Sequence, residues 1–440
     1  MRDGMRYQFL HYRYDSEHGL EGPTGRIALR RSDDRLLQLL LEAGGRTVSK
    51  DTLIASVWDG RDVSDDSLFQ ATRRLRAAVP GSLGSEVIQT IKGAGLRIGV
   101  AVRRSQITVP PVALAFAPSS NLEAVASLSS AWELAARRSP RELDAAVQAA
   151  QLALRQDPEF VAAWCGLAIF HVMRAARMTA APREAGAAAV AAVGRALELD
   201  TNCAPALAAR GWVRAVIDLD IGGGVADLDR SVEITDKYWL TRGLRGWGYT
   251  AAGRTLDAVA EVRAALDLNR WGNWYSGLLA QYLFFAGDRE AALIEARTAV
   301  GRFPEVEISH MLLSVVASGV ELHEEAVAAG RRAMELAPYT PLLHTALACA
   351  LARAGRRVEA TDLIQAIESR GIAAHCPWLA TAYLALGRRD QAIDVLERAR
   401  NVGSPQFVYA FVDPRLADLA GDPGFERLRP IGRLPPADRP

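Results

Sequence analysis

The sequence predicts a multidomain chain, a small N-terminal α+β unit followed by a long all-α superhelical solenoid. Three observations predict it. Up to about Val102, short aromatic-rich strands, three amphipathic helices and a glycine-tipped hairpin succeed one another, whereas from about Leu134 to Val402 helical periodicity is continuous. Within that second stretch small residues recur at a period of 34. Charge divides in the same place: up to Arg104 there are 17 basic against 13 acidic residues, net +4, and the remainder carries 35 against 38, net −3. A basic excess confined to the N-terminal part suits an acidic polymer as that part's partner.

Each element follows from local signals. Met5–Tyr14, Gly19–Gly22 and Arg26–Leu29 read as an antiparallel meander. Ser32 is expected to cap a first helix carrying Leu36, Leu37, Leu39, Leu40 and Leu41, which stops at Gly44-Gly45. Ser49 caps a second with Leu53, Ile54, Val57 and Trp58; past the turn Asp59-Gly60, Ser64 caps a third through Leu68, Thr72, Leu75 and Val79. Away from those apolar positions the third helix presents Gln70, Arg73, Arg74 and Arg76. Val87–Ile91 and Leu96–Val102 then flank Lys92-Gly93-Ala94-Gly95, a hairpin.

Two helices joined by a turn, a basic third helix and a hairpin make a winged helix-turn-helix. A helix fits the major groove of B-DNA, where arginines reach guanine edges and phosphates. A hairpin tip of little bulk approaches the adjacent backbone, with Lys92 and Arg97 supplying charge. The plain alternative is an arginine-rich solvated helix face; the hairpin and the leading strands argue against it.

Over roughly residues 5–102 this pattern resembles the OmpR/PhoB-type winged-helix DNA-binding domain. The resemblance rests on Leu36–Leu41 (LLQLLL), on Gly45-Arg46-Thr47-Val48-Ser49-Lys50 leading to Val57-Trp58, and on Val63-Ser64-Asp65-Asp66-Ser67-Leu68. Arg73-Arg74-Leu75-Arg76 and the wing stretch from Val87 to Arg97 (VIQTIKGAGLR) complete it. It implies base or backbone contacts from Ser67, Gln70, Arg73, Arg74 and Arg76, and minor-groove or phosphate contacts from Thr90, Lys92 and Gly93. It also implies that the loop Asp59, Gly60, Arg61, Asp62 touches RNA polymerase. Leu96 stands where the wing usually has Tyr, and Ala71 where some relatives carry a larger side chain, which blurs the operator but not the fold. Because the chain starts a few residues before its first strand, no receiver domain, and so no control by aspartyl phosphorylation, is expected within it.

The expected domain bounds are 1–104 for the winged helix, 105–130 for a linker broken by Pro110, Pro111 and Pro118, and 131–440 for the repeats with a C-terminal capping segment. Aligning the small residue of each second helix gives Ala153, Ala196, Ser231, Ala265, Ala299, Ala333, Ile367 and Ala399. A second column seven positions earlier reads Ala146, Ala189, Gly224, Ala258, Ala292, Ala326, Ala360 and Ala392. Small residues recur where paired helices cross at about 8–10 Å. A period of 34 with this pattern is similar to the tetratricopeptide repeat, in about eight units, the second with an insertion near Met173–Pro182. Asp413-Pro414 to Phe425 reads as the cap.

A concave groove is expected to be lined by Trp212, Trp247, Trp274, Phe284 and Phe285, with Met311 and Leu312 beyond. Such a lining suits a hydrophobic peptide or a small-molecule effector. Tighter self-packing of a strongly curved array, or a dimer surface, is equally open.

No enzyme signature emerges. His310 and His344 are spaced by one repeat and Cys376 lies in the same column, which Trp164 fills in an earlier unit, so stacked core side chains are favoured over a metal site. His375-Cys376 has no positioned acid or third ligand, and Gly222-Gly223-Gly224 lacks the Lys and Ser/Thr of a phosphate loop and reads as a helix start. The four cysteines, Cys165, Cys203, Cys349 and Cys376, show no CxxC spacing and read as reduced core thiols. No cofactor is implied. The longest uncharged run, Ser105–Leu122, holds three prolines, so no membrane helix of about 20 apolar residues fits, and no signal peptide opens the chain; a soluble, cytoplasmic protein is expected.

The combination resembles soluble ToxR/CadC/HilA-like transcriptional regulators. That resemblance implies sequence-specific binding of double-stranded DNA on tandem half-sites, with activation through RNA polymerase favoured over repression. The repeats would then mediate homodimerisation, partner docking or effector sensing. The competing class is a repeat scaffold in which the winged helix has become a protein-docking module.

Overall fold

In the computed structural model the chain forms two compact units, Met1–Thr108 and Val109–Pro440. The structure describes residues 5–431 apart from 10–11, 16–18, 23–24, 59–64, 79–85, 101, 107–118, 138, 269–272, 339 and 370–375. Each unit has its own core.

The N-terminal unit opens with the antiparallel strands β1 (Met5–Phe9), β2 (Tyr12–Asp15), β3 (Gly19–Gly22) and β4 (Gly25–Ile27). Tyr7 and Phe9 of β1, Tyr12 and Tyr14 of β2 and Leu20 of β3 are all at most 4% exposed: alternate residues of each strand are buried. Onto this face pack helices α1 (Arg31–Glu42), α2 (Lys50–Val57) and α3 (Asp65–Ala78), through Leu36, Leu37, Leu40 and Leu41, through Leu53 and Val57, and through Leu68, Ala71 and Leu75. The hairpin β5 (Ile88–Ile91) and β6 (Gly95–Ile98) follows. The single strand expected over Leu96–Val102 is divided: β6 ends at Ile98, and β7 (Val102–Gln106) pairs with β1 to complete a sheet of order β4-β3-β2-β1-β7.

Of the expected caps, Ser49 accepts from the Thr52 amide, whereas Ser32 lies inside the first turn of α1 and donates to Asp33 Oδ1 at 3.2 Å. Ser64 falls outside the described residues.

The second unit is a succession of helical hairpins: α4 (Leu122–Arg137) with α5 (Pro140–Gln156), α6 (Val161–Ala176) with α7 (Pro182–Leu199), and α8 (Ala204–Trp212) with α9 (Ile221–Ile234). Then come α10 (Trp239–Ala251) with α11 (Thr255–Leu268), α12 (Asn273–Phe285) with α13 (Arg289–Arg302), and α14 (Glu307–Gly319) with α15 (His323–Leu336). Last are α16 (Pro341–Arg353) with α17 (Arg357–Ser369) and α18 (Pro377–Ala385) with α19 (Arg389–Val402). Every residue of both small-residue columns is buried, so the period of 34 records the helix crossings. At Gly224 an added Cβ would stand 2.6 Å from the Gly211 carbonyl oxygen, a crossing that tolerates no side chain.

Two details differ from the sequence reading. α4 starts at Leu122, inside the expected linker, because the Asn121 side chain accepts from the amides of Glu123 and Ala124 and so caps it. The expected insertion near Met173–Pro182 is taken up in helix length, α6 and α7 having 16 and 18 residues against 13 and 14 in α10 and α11.

The turn between the helices of a hairpin has its own period. Gly253, Gly287, Gly355 and Gly387 take positive φ there, and so do Leu219 and Glu321 at the equivalent places. Beyond α19 the chain does not leave the array. A 3-10 segment, Pro405–Phe411, packs back onto α6, α10 and α18, a second, Pro414–Leu419, follows, and α20 (Pro423–Arg427) ends the described fold. Gln406 Nε2 donates to the Ala176 carbonyl at 2.8 Å and Arg183 Nε to that of Asn401 at 2.9 Å, so early and late repeats meet across the superhelix. The Arg177–Glu307 ion pair, at 2.7 Å, makes the same connection.

Candidate nucleic-acid interface

The surface of α3 divides its charged residues between two jobs. At 100° per residue, Asp66, Gln70, Arg73 and Ala77 fall on the side opposite the buried Leu68, Ala71, Thr72 and Leu75, and the exposed Phe69 lies between that side and the flank that carries Arg76. Arg73 is exposed, and among the described residues no side chain pairs with it. Gln70 and Ser67 are half-buried.

The other two arginines hold the domain together. Arg74 lies on one flank and makes a bidentate pair with Asp33 of α1, Nε to Oδ2 at 2.8 Å and Nη2 to Oδ1 at 2.7 Å. Asp33 is only 2% exposed, and the pair raises the Arg74 pKa. Arg76 lies on the opposite flank, where Nε and Nη2 donate to the Ile88 carbonyl at 2.9 and 2.7 Å and Nη2 to Thr90 Oγ1 at 2.9 Å. These contacts correct the expectation that both guanidinia face DNA: Arg74 fastens α3 to α1, and Arg76 fastens α3 to the hairpin. Arg97, counted as a source of free charge, donates to Gln89 Oε1 across the hairpin at 3.0 Å.

The hairpin is pinned a second time. Val48, between α1 and α2, exchanges two backbone hydrogen bonds with Leu96, at 2.8 and 3.0 Å. Gly95 makes this approach possible: its φ is +142°, and a Cβ there would lie 1.9 Å from the Val48 carbonyl oxygen. The tip beyond it, Lys92, Gly93 and Ala94, is exposed, as is Thr90. A reading helix and a cationic tip are thus held at a fixed mutual orientation by side-chain and backbone bonds, which spares the ordering cost that loose parts incur on binding. Asp59, Gly60, Arg61 and Asp62 lie outside the described residues.

Phe69 was absent from the sequence reading, although it stands one residue after an inward-facing Leu and four before Arg73. That spacing takes it off the buried side, at the flank next to Arg73, and it is 60% exposed.

The repeat unit does not offer the open aromatic groove considered above. Trp212, Trp247, Phe284, Phe285, Met311 and Leu312 are each at most 5% exposed. Trp247 and Phe285 are covered by the chain's own C-terminal segment, where the Tyr409 ring stacks on Trp247 at 5.5 Å and meets Phe285 at 5.3 Å and Tyr282 at 6.3 Å. Met311 and Leu312 are instead buried among Ile308 of their own helix and Leu342 and Leu343 of α16. Trp212 packs edge-on to Trp247 at 5.3 Å. Self-packing therefore occupies this face. Trp274 lies on α12 with its side chain outside the described residues.

The histidine column is structural. His310 Nε2 is 2.8 Å from the Pro304 carbonyl and Trp164 Nε1 is 2.8 Å from that of Pro158, the same bond in two units, while His344 Nδ1 meets the Thr340 carbonyl. His375 is not among the described residues. Gly222–Gly224 opens α9 behind the Asp220 cap. All four thiols are buried; Cys165 and Cys203, distant in sequence, bring their sulfurs to 2.9 Å. No helix among the described residues is long and apolar enough to cross a membrane.

Residues 24–98 match the family model described as transcriptional regulatory protein, C terminal. The transcriptional regulator HilA of Salmonella typhi is 35% identical over 78 residues, which are 18% of this chain and 13% of that relative's length. Among solved structures, the APC/C hetero-tetramer Cut9-Hcn1 is similar at 14% identity and a TM-score of 0.48, over 88% of this chain and 67% of that one. Yeast Tom70 is similar at 14% identity and a TM-score of 0.43, over 90% and 82%. The N-terminal unit is thus an OmpR/PhoB-type winged-helix DNA-binding domain of transcriptional regulatory proteins, fused here to an array of tetratricopeptide-type helical hairpins.

Proposed function

We propose that this chain is a sequence-specific transcription regulator that reads duplex DNA with α3 in the major groove and sets Lys92 at the hairpin tip against the neighbouring backbone. One observation carries the reading: Arg76 and the Val48–Leu96 bridge fix the hairpin relative to a helix whose outward side holds Gln70 and the exposed Arg73. A helix and a wing so arranged can engage base edges and phosphates together. Thr90, Lys92 and Gly93 are the backbone contacts of this reading, and Ser67 a lesser one at the flank of the helix.

The repeat array then provides homodimerisation, partner docking or effector sensing in the cytoplasm. The loop of Asp59, Gly60, Arg61 and Asp62 is assigned to RNA polymerase, which makes the protein an activator. These assignments are drawn from family resemblance.

Fluorescence anisotropy of the full chain against pooled genomic fragments, across a salt series, tests the DNA reading. Wild type is expected to select particular fragments with affinity that falls steeply as salt rises. Arg73→Glu is expected to abolish selection while thermal unfolding stays unchanged. Equal, weak and unselective binding by both proteins overturns the reading and leaves the winged helix as a protein-docking module.

A further inference from the structure

We propose that Phe69 is a specificity-determining residue that packs against the C5-methyl group of a thymine in the major groove. The proposal rests on the DNA-binding reading above. Phe69 is 60% exposed, and among the described residues it is the one aromatic ring left in water to this extent. It stands at the edge of the outward side of α3, next to Arg73 and Asp66 and toward the flank that carries Arg76. A phenyl ring there gains only if it meets apolar surface. The duplex displays one apolar group on its major-groove edges, the thymine methyl.

The neighbours of Phe69 point to the same place. Gln70 carries the amide that bonds bidentately to adenine N6 and N7, and Arg73, one turn on, reaches guanine or phosphate. Asp66 shares this side and is exposed. A carboxylate is repelled by phosphates yet accepts from a cytosine amino group, so this side suits base edges and not the sugar-phosphate backbone. Arg74 and Arg76, which might have drawn the helix toward phosphates, are engaged within the domain.

The chemistry recognised is a pyrimidine C5-methyl, which 5-methylcytosine also carries, and the test separates the two sources. From the smallest duplex selected by the full wild-type chain, each thymine is replaced in turn by deoxyuridine, which lacks only the methyl. At one or two positions per half-site, wild-type binding is expected to weaken about threefold to tenfold, as the transfer of one methyl group suggests. Phe69→Ala is expected to bind the unmodified duplex more weakly and to show no further loss at those positions, with unfolding like wild type. Cytosine-to-5-methylcytosine replacements are expected to leave wild-type binding unchanged.

The proposal is overturned if no deoxyuridine weakens wild-type binding, or if Phe69→Ala is as sensitive as wild type at the same position. It is also overturned if sensitivity appears only with 5-methylcytosine. Unchanged DNA affinity with an altered oligomeric state in Phe69→Ala assigns the ring to a protein interface instead. Failure of wild type to select any duplex sinks the DNA reading itself, a result distinct from all of these.

Discussion

Replacing Arg74 with Ala is expected to damage the winged-helix fold before it affects recognition, and replacing Arg73 to do the reverse. Arg74 bonds both oxygens of Asp33, whose side chain is 4% exposed. Removing one partner of a buried ion pair costs about 3–5 kcal/mol, because the other charge is left unpaired. The Arg74 side chain keeps 35% of its exposure, so water enters when it is lost, and the cost falls to about 2–3 kcal/mol. Arg73→Ala removes an exposed side chain and stays within about 0.5 kcal/mol of wild type. Amide hydrogen exchange over α1 and α3 reads the difference, since it measures local opening free energy in the intact chain. Arg74→Ala is expected to speed exchange in both helices, and Asp33→Ala/Arg74→Ala to recover part of the loss. Arg73→Ala is expected to leave exchange unchanged while lowering the salt slope of DNA binding by about one. If Arg74→Ala exchanges like wild type and still loses DNA, the ion pair does not hold the fold and the guanidinium is a DNA contact after all.

Three further outcomes follow from the repeats. Glu321 holds a positive φ that the equivalent places fill mostly with glycine, and its side chain is exposed, so Glu321→Gly is expected to stabilise. Relief of about 1–2 kcal/mol of left-handed strain, less the freedom glycine adds to the unfolded chain, leaves a gain of about 0.5–1 kcal/mol, and a lowered melting temperature contradicts this. Burial and the Arg174 charge hold His171 down to about 4 from its ordinary 6.5. The unfolded chain therefore takes up a proton that the folded chain refuses. Stability is full above pH 6.5 and is lost as pH falls toward 4; His171→Gln should flatten that part of the stability profile, and an unchanged slope refutes the assignment. Tyr409→Ala empties the centre of the superhelix, is expected to cost about 3–5 kcal/mol, and should shift tryptophan emission because Trp247 loses its stacking partner; unchanged emission and stability would show that the segment is not seated there.

Much of the reading helix was legible in its spacing. Leu68, Ala71, Thr72 and Leu75 define the inward side, and a 100° step places Arg73 opposite them but Arg74 and Arg76 on the two flanks. Grouping the three arginines as one face passed over that difference. What spacing could not supply is the partner on each flank. Asp33 lies 41 residues upstream of Arg74 and the Ile88 carbonyl 12 residues downstream of Arg76. Neither carries a local mark; an acidic residue in the first turn of α1 looks like ordinary support of the helix dipole until the fold buries it. Gly95 was visible as a turn residue, but the carbonyl that excludes a side chain there belongs to Val48 and appears only in three dimensions.

The repeats divide in the same way between what is local and what is not. Small residues at a period of 34 are dictated by helix crossings within each hairpin and between neighbours, so the array could be read directly. What occupies the inner face is set by a segment far away in sequence: Tyr282 and Tyr409, 3.3 Å apart at their hydroxyls, are separated by 127 residues. An apolar aromatic lining is equally suited to a ligand or to the chain's own tail, and the tail supplies Phe407, Tyr409 and Phe411. Burial of Phe407 at 1% and Tyr409 at 3% decides for the tail. A molecule that used this face would have to displace Pro405–Phe411 and with it the Gln406–Ala176 bond that joins the late repeats to the early ones. Occupancy of the inner face by another molecule would therefore compete with closure of the superhelix, and such a molecule would gain access only by its differential affinity for an opened array.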